Sequence, residues 1–592
     1  MHRRSPSAFV APGLAAVLSG LLTFVLAGTA AAFQVVSTTP AFYDLTVDRD
    51  ASISVTFDAP LNPATVSPTS VIVRGGMSGR HVSNLNVNGA TLTINPQTDF
   101  FTGEIVTVNL VKTLAQLGGG GSVLTFGYTF TFTIRVLGGA LDVVEIGNWS
   151  TAPADVPYFI YGGDVNGDGK VDVCTPNEDS HDLAVFLNPG NGVFNQHTAY
   201  GVGNTPSSCF GDDLDLDGDI DVATANVASS DMTVLKNNGN ATFAGTTYVS
   251  GTTCRQVSGG DFDGDGDTDL VTTGFTDDTL NLFFNHGDGT YEPRIPMSVS
   301  VDPFPVRVTD MNADGRPDIV TAYQGIPRQV QVFMNLGLGS FAPGATSTVG
   351  TGAWDIYAND VNGDHKVDIL LVEALSNRLR ILPGDGNGGF GSSVTVSSGS
   401  FPLGVIGGDL DGDGDLDAIT SNFSSADLRV FRNNGGTFTL QSTLDMTLAG
   451  SYGWPHDLDG DGDLDITGID ELNDRIYTYQ NRGATGIGDA GSPTPVLTMF
   501  APRPNPASAG AFIDYTAPGD RERITVRIFD AGGRLVRTLA AGPVAPGAGQ
   551  LFWDGRSDGG RPVPAGTYFL ALDGAPDARP GSAGSARLTI LR

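Results

Sequence analysis

The chain has 592 residues, 40% of them apolar, with 80 glycines and a formal net charge of −33. That length exceeds a single hydrophobic core and predicts about three or four domains, while the absence of any basic stretch excludes nucleic acid as a partner. Glycine at roughly twice the usual ~7% favours tight turns and short strands over long helices, and alternating apolar runs argue against disorder.

In chain order, residues 1–32 come first. His2, Arg3 and Arg4 precede an apolar run from Ala8 to Leu26 and then Ala30-Ala31-Ala32, the pattern of a secretory signal with a small-residue cleavage site. The run is longer than usual, so an uncleaved membrane anchor is the alternative. No later stretch reaches the ~18–20 apolar residues of a membrane span, which predicts an exported mature chain without one.

Residues 33–137 alternate as strands do: Ile53/Val55/Phe57, Leu92/Ile94, Val106/Val108/Leu110 and Tyr128/Phe130/Phe132/Ile134. Gly and Pro/Asn clusters separate the runs, predicting an all-β sandwich.

Residues 138–484 carry a nine-residue acidic motif seven times, at intervals of 48 to 50 residues. The copies are DVNGDGKVD, DLDLDGDID, DFDGDGDTD, DMNADGRPD, DVNGDHKVD, DLDGDGDLD and DLDGDGDLD, starting at Asp164, Asp213, Asp261, Asp310, Asp360, Asp409 and Asp457. A fixed period near 49 residues marks a repeat architecture. The motifs hold 29 of the 65 acidic residues, so the acidity is largely ligand charge rather than a solvated tail.

Positions 1, 3, 5 and 9 offer side-chain oxygens to one hard cation. In the first four copies these are Asp164, Asn166, Asp168 and Asp172; Asp213, Asp215, Asp217 and Asp221; Asp261, Asp263, Asp265 and Asp269; and Asp310, Asn312, Asp314 and Asp318. In the last three they are Asp360, Asn362, Asp364 and Asp368; Asp409, Asp411, Asp413 and Asp417; and Asp457, Asp459, Asp461 and Asp465. Position 7 can add its carbonyl: Lys170, Asp219, Asp267, Arg316, Lys366, Asp415 and Asp463. Six to eight oxygens with tolerant geometry suit Ca²⁺, and Gly at position 6 permits the positive φ that folds the loop back. Up to seven Ca²⁺ are expected, one per repeat. His365 replaces that Gly in the fifth copy, predicting a weaker site there. An EF-hand would need Glu at position 12, where Thr175, Thr224, Thr272, Thr321, Leu371, Thr420 and Gly468 stand instead.

Each unit places a short apolar run before the motif, a β-branched run after it, then an alternation closed by a turn and an aromatic: Phe194, Phe243, Tyr291, Phe341, Phe390 and Phe438. That leaves room for four strands, one propeller blade. The seventh unit stops after IYTYQNRG, and Gly139–Trp149 precedes the first motif without a unit of its own. This early segment is therefore expected to supply the last blade's fourth strand and remove two open sheet edges. The fold class is all-β: a seven-bladed β-propeller flanked by two Ig-like β-sandwiches, with a linker at 485–497 and a C-terminal domain at 498–592.

These segments carry three resemblances. VVSTTPAFYDLTVDRDASISVTFDAPLNPATV and YTFTFTIRV resemble bacterial Ig-like domains, which implies a spacer. The seven motifs, over about Gly139–Gly483, resemble FG-GAP/VCBS repeats of the integrin-α type. That resemblance implies cation loops between the first and second strands of each blade and partners on the opposite face. APRPNP, FDAGGRLVRTL and WDGRSDGGRPVPAGTYFLAL resemble the FlgD-type Ig-like domain and C-terminal sorting domains of type IX secretion substrates, implying contact with an export machinery.

Cys174, Cys209 and Cys254 are too few for a disulfide framework; Cys174 and Cys209 either bridge adjacent units or stay as buried thiols. The histidines are scattered, and no nucleophile elbow, zinc-protease motif or phosphate loop is present. Trp354 and Trp454 stand near the starts of first strands, for core packing or sugar stacking. No catalytic residues are expected. The expected function is an exported, calcium-stabilised binding or adhesion protein at the cell surface, with an extracellular protein or glycan as ligand. A polysaccharide lyase or hydrolase and a structural surface component are the alternatives.

Overall fold

In the computed structural model of the protein, residues 33–118, 122–151, 155–194 and 196–482 are described, with 498–499, 507, 510–517, 524–530, 534–541, 547–572 and 585–591 of the C-terminal region. The expected signal (1–32) and linker (485–497) lie outside the described residues. The chain divides into two compact units, Met1–Thr485 and Gly486–Arg592. Strand dominates; the helical segments among the described residues are the 3₁₀ turns Pro63–Thr65 and Ala374–Ser376.

The N-terminal alternation becomes two four-stranded sheets. One is ordered β1 (Val35–Thr39), β2 (Ile53–Phe57), β6 (Thr91–Pro96), β5 (Ser83–Asn88); the other β4 (Gly79–Arg80), β3 (Val71–Gly75), β7 (Ile105–Leu110), β8 (Tyr128–Thr133). Along β2 every second side chain is buried, as a pleat with one face on a core requires. Val55, Phe57, Leu92, Ile94, Val108, Phe130 and Phe132 fill the space between the sheets.

The repeat region forms seven four-stranded antiparallel sheets in sequence order. Their first strands are Tyr161–Gly163, Pro206–Asp212, Cys254–Gly260, Pro303–Thr309, Ala353–Asn359, Pro402–Gly408 and Tyr452–His456. Each lies against the next, and the seventh also lies against the first. The second strands start on the ninth motif residue and are buried throughout, which explains their continuous apolar and Thr composition. The seventh sheet takes its outer strand from β9 (Asp142–Ser150), which pairs with Arg475–Arg482 through Ile476↔Trp149 and Tyr479↔Glu145. The early segment does supply the missing strand.

The N-terminal sandwich is no free spacer: it packs within the same compact unit, on the motif turns. Main-chain bonds join Asp164 N to Met77 O (2.7 Å), Lys112 N to Gly264 O (2.8 Å), Thr129 N to Gly315 O (2.8 Å) and Leu137 N to Gly462 O (2.8 Å). Buried Arg74 donates to Asn109 Oδ1 (3.0 Å) and Gly266 O (2.8 Å); Arg80 donates to Leu216 O. Phe42 O lies 3.1 Å from His365 Nδ1, and Thr46 Cγ2 lies in van der Waals reach of Gly414. Every one of the seven turns, Asp411–Gly412 being reached by Gly138 as well, is touched by residues 42–138.

The C-terminal unit has a three-stranded sheet (Thr498–Met499, Ala511–Ala517, Gly547–Trp553) and a four-stranded one ordered Leu535–Ala541, Ile524–Phe529, Gly566–Leu572, Ser585–Ile590. Trp553, fully buried among Val526, Ile528, Leu570, Leu588 and Ile590, anchors its core. All three cysteines are free and buried; Cys174 and Cys209 share one core cluster without a bridge.

Candidate metal centres

Each acidic motif is the turn between the first and second strands of its sheet. The first Asp organises it by accepting main-chain N–H groups. Asp164 Oδ1 takes Gly167 N (2.8 Å) and Asp168 N (3.1 Å), and Oδ2 takes Gly169 N (2.7 Å). Asp261 repeats this with Gly264, Asp265 and Gly266. The turn needs left-handed backbone at position 6, and also at position 4, where Leu216 (φ 62°) and Ala313 (φ 55°) adopt it without being Gly. His365 takes φ 60° and still donates its main-chain N to Asp360 Oδ2 at 2.6 Å. The fifth loop thus keeps the common shape, at a cost on the order of 1–2 kcal/mol for the side chain.

Position 9 has a second task that the spacing does not reveal. In all seven copies its carboxylate accepts one N–H from motif position 2 and another from the end of the third strand. Asp221 takes Leu214 N (3.0 Å) and Asn237 N (2.7 Å); Asp417 takes Leu410 N (3.0 Å) and Asn433 N (2.8 Å). The pairs are Val165 and Asn188 for Asp172, Phe262 and Asn285 for Asp269, Met311 and Asn335 for Asp318, Val361 and Gly384 for Asp368, and Leu458 and Asn481 for Asp465.

The Asn at the end of the third strand went unread in the sequence, though it recurs in LNPG, KNNG, NHGD, MNLG, RNNG and QNRG. Its Nδ2 reaches back to the position-2 carbonyl of the preceding repeat: Asn237 to Val165 O (2.7 Å), Asn285 to Leu214 O (2.8 Å), Asn335 to Phe262 O (3.0 Å), Asn433 to Val361 O, and Asn481 to Leu410 O (2.6 Å). In the fifth repeat, where Gly384 stands instead, Gly388 N bonds Met311 O.

Carboxylates gather where the motif predicts. Ligand oxygens of Asp213, Asp215 and Asp221, of Asp261, Asp263 and Asp265, of Asp409, Asp411 and Asp417, and of Asp457, Asp459 and Asp465 lie within 4.8 Å of one another in each set. The first, fourth and fifth loops have Asn at position 3 and so bring fewer carboxylates together. Buried oxygens with no hydrogen-bond partner sit in these loops: both of Asp213, and one each of Asp409, Asp415 and Asp463. An orphaned buried carboxylate oxygen is costly, and a cation is the partner this donor set fits. Hard oxygen ligands without a soft donor suit Ca²⁺.

Burial and mutual repulsion push the carboxyls upward. Asp213 reaches about 7 by burial, Asp221, Asp417 and Asp465 about 8, and Asp463 about 9 through burial, Asp461 and Asp465. Basic side chains partly offset the charge. Lys170 Nζ lies 3.3 Å from Asp168, Lys366 Nζ 2.9 Å from Asp364, Lys236 Nζ 3.3 Å from Asp215 and Lys112 Nζ 3.0 Å from Asp263. Arg316 pairs with Asp314, and Arg432 with Asp411 at 2.7 Å. Position 7 therefore acts through its side chain in the Lys170, Arg316 and Lys366 loops, a role beyond the expected carbonyl.

His456 stands beside Asp457 but is no ligand. It is fully buried, its Nε2 lies 2.8 Å from Thr467 Oγ1, and burial lowers it to about 3. Trp454 packs on Tyr161, centroids 5.6 Å apart, inside the circle of first strands.

An all-β chain of acidic-turn repeats between two small sandwiches is the class of protein that fold and site define. The comparisons agree part by part. The FG-GAP-like repeat model matches residues 213–272, 261–321, 310–371 and 360–420. The bacterial Ig-like domain model matches 29–134, and the FlgD Ig-like domain model 507–576. The basal-body rod modification protein FlgD of Salmonella typhimurium is 31% identical over 119 residues, 18% of this chain and 50% of that protein, and so is that of Salmonella typhi. The chain thus spans about half the length of these curated relatives. A crystal structure of BBS1N in complex with ARL6DN aligns at 13% identity over 58% of this chain and 98% of that one, with a TM-score of 0.41. The Pseudomonas aeruginosa periplasmic gluconolactonase PpgL aligns at 16% identity over 59% and 94%, with a TM-score of 0.37. FG-GAP-like repeats and Ig-like domains are those of an extracellular adhesion or structural type of protein. No helix among the described residues is long and apolar enough to cross a membrane.

Proposed function

We propose that the chain is an exported binding or adhesion protein, built on a seven-bladed β-propeller whose acidic turns hold up to seven Ca²⁺ and whose ligand is an extracellular protein or glycan. The orphaned buried oxygens of Asp213, Asp409, Asp415 and Asp463 support the metal reading most directly. When bound, Ca²⁺ supplies positive charge and oxygen coordination. The residues of the chain do the rest: positions 1 and 9 fix the turn, and the sandwich lies over it. With the turn face covered, the opposite face of the propeller is left for a ligand. We read the C-terminal unit as the part that meets an export or anchoring machinery, and the protein as a binder rather than an enzyme.

Elemental analysis of the purified mature chain in calcium buffer tests the metal. Several Ca²⁺ per chain are expected, and essentially none would overturn the reading. A glycan and protein array at millimolar calcium tests binding; turnover of a glycan substrate would replace the reading with an enzymatic one.

A further inference from the structure

The sixth and seventh acidic motifs have the same sequence, DLDGDGDLD, at Asp409–Asp417 and Asp457–Asp465. Any difference in how they take a cation therefore comes from the residues around them. The two turns are built alike: Asp409 Oδ2 accepts Gly414 N at 3.1 Å, and Asp457 Oδ2 accepts Gly462 N at 3.1 Å. Each also holds buried oxygen without a hydrogen-bond partner, on Asp409 and Asp415 in the sixth and on Asp463 in the seventh.

The difference lies on the third strand, one residue before the Asn that clasps the preceding repeat. In the sixth unit that residue is Arg432, before Asn433; in the seventh it is Gln480, before Asn481. Both side chains reach the position-3 carboxylate. Arg432 lies 2.7 Å from Asp411 Oδ2 and 3.3 Å from Asp413 Oδ2. Gln480 Nε2 donates to Asp459 Oδ2 at 2.5 Å. The second unit repeats the sixth, with Lys236 before Asn237 and 3.3 Å from Asp215. One strand position thus touches the same ligand in three loops, with a cation in two of them and a neutral amide in the last.

The other loops gain a positive charge by different routes. The third receives Lys112 of the sandwich on Asp263. The first, fourth and fifth carry Lys170, Arg316 and Lys366 at position 7, with Asn in place of the position-3 Asp. Among the described residues, the seventh loop alone has no Lys or Arg within 4 Å of its carboxylates. A positive side chain on a ligand carboxylate opposes a divalent ion there. Over a few ångströms at a water-like dielectric, one unit charge is worth roughly tenfold in the ion's affinity. A neutral amide carries no such repulsion.

We propose that the residue before the clasping Asn tunes calcium affinity, and that the seventh loop, with Gln480, is the tightest calcium site of the chain. The inference rests on the metal reading above and ranks sites which that reading leaves equal. It also places the tightest ion at the join of the ring: in this loop Leu458 O accepts Asn188 Nδ2 from the first repeat, and Gly462 O accepts Leu137 N.

The test uses the full mature chain, stripped of metal and dialysed against radiolabelled Ca²⁺ over a graded series of free concentrations, with bound ions counted per chain. One ion should bind ahead of the rest. Asp459→Ala should remove it and Asp411→Ala should leave it. Gln480→Arg should weaken it roughly tenfold, and Arg432→Gln should add a second ion of the same class. In the double exchange, Asp411→Ala rather than Asp459→Ala should remove the tightest ion. The Arg432 side chain is 47% exposed, so the gap between the sixth and seventh loops should narrow in about 1 M salt. Melts in EDTA report folding, and Arg432→Gln carries the test through the sixth loop if Gln480→Arg does not fold. Ions that all bind alike overturn the inference, as does a tightest ion that survives Asp459→Ala or ignores both exchanges; in those cases the metal reading stands. A chain that binds no Ca²⁺ defeats both.

Discussion

Asn188 Nδ2 donates to Leu458 O at 2.9 Å, so a residue of the first repeat clasps the turn of the seventh. The same bond joins Asn237 to Val165 one step along the series. Both Asn side chains are buried. The closing contact is thus chemically the same as the internal ones.

Asn188→Ala is expected to cost about 1–3 kcal/mol, because it leaves buried Leu458 O without its partner. Asn285→Ala should cost a similar amount. Denaturant melts of both variants check this; a silent Asn188→Ala beside a costly Asn285→Ala would show that the first and seventh sheets do not clasp in solution.

Position 9 and position 3 should separate under chelation. Asp221→Ala removes the acceptor of Leu214 N and Asn237 N, so it should destabilise the chain by about 2–4 kcal/mol even in EDTA. Asp215→Ala, which removes the position-3 oxygen altogether, should lower calcium stoichiometry by one while barely moving the melt in EDTA. Equal melts for the two variants in EDTA would refute the structural role of position 9.

The metal-free chain should lose stability as pH rises. Asp221, Asp417 and Asp465 are raised to about 8 in the fold against ~3.9 unfolded. The native state therefore binds more protons between those values, and stability falls from about pH 4 to pH 8. In EDTA the melting temperature should be higher at pH 5 than at pH 8. Saturating Ca²⁺ should reverse the order, since the deprotonated loops then bind metal.

Arg74 should hold the sandwich on the third turn. Arg74→Ala removes buried bonds to Asn109 and Gly266, with a cost of about 3–5 kcal/mol expected for a broken buried charge network. Amide exchange at Lys112 and Thr129, whose N–H groups donate to Gly264 O and Gly315 O, should quicken; unchanged protection would count against docking.

The three thiols should be silent to iodoacetamide in the native state and all three should label in denaturant. Burial raises Cys174, Cys209 and Cys254 alike. Only one labelled thiol after denaturation without reductant would reveal a Cys174–Cys209 bridge.

The sequence by itself determined the strands, the turns and the period, because these are local. Alternation in Ile53–Phe57 dictates a one-faced strand, and Asp164–Asp172 carries its own turn chemistry. The missing outer strand of the last sheet was also legible, since a repeat that stops short must find its edge elsewhere. Tertiary structure decided what depends on distant residues meeting. Asn188 and Leu458 lie 270 positions apart, and no pattern within one repeat says which carbonyl an Asn will reach. The docking of residues 42–138 on the turns follows from the circular order of the sheets. That order brings together single residues whose individual spacing carries no signal.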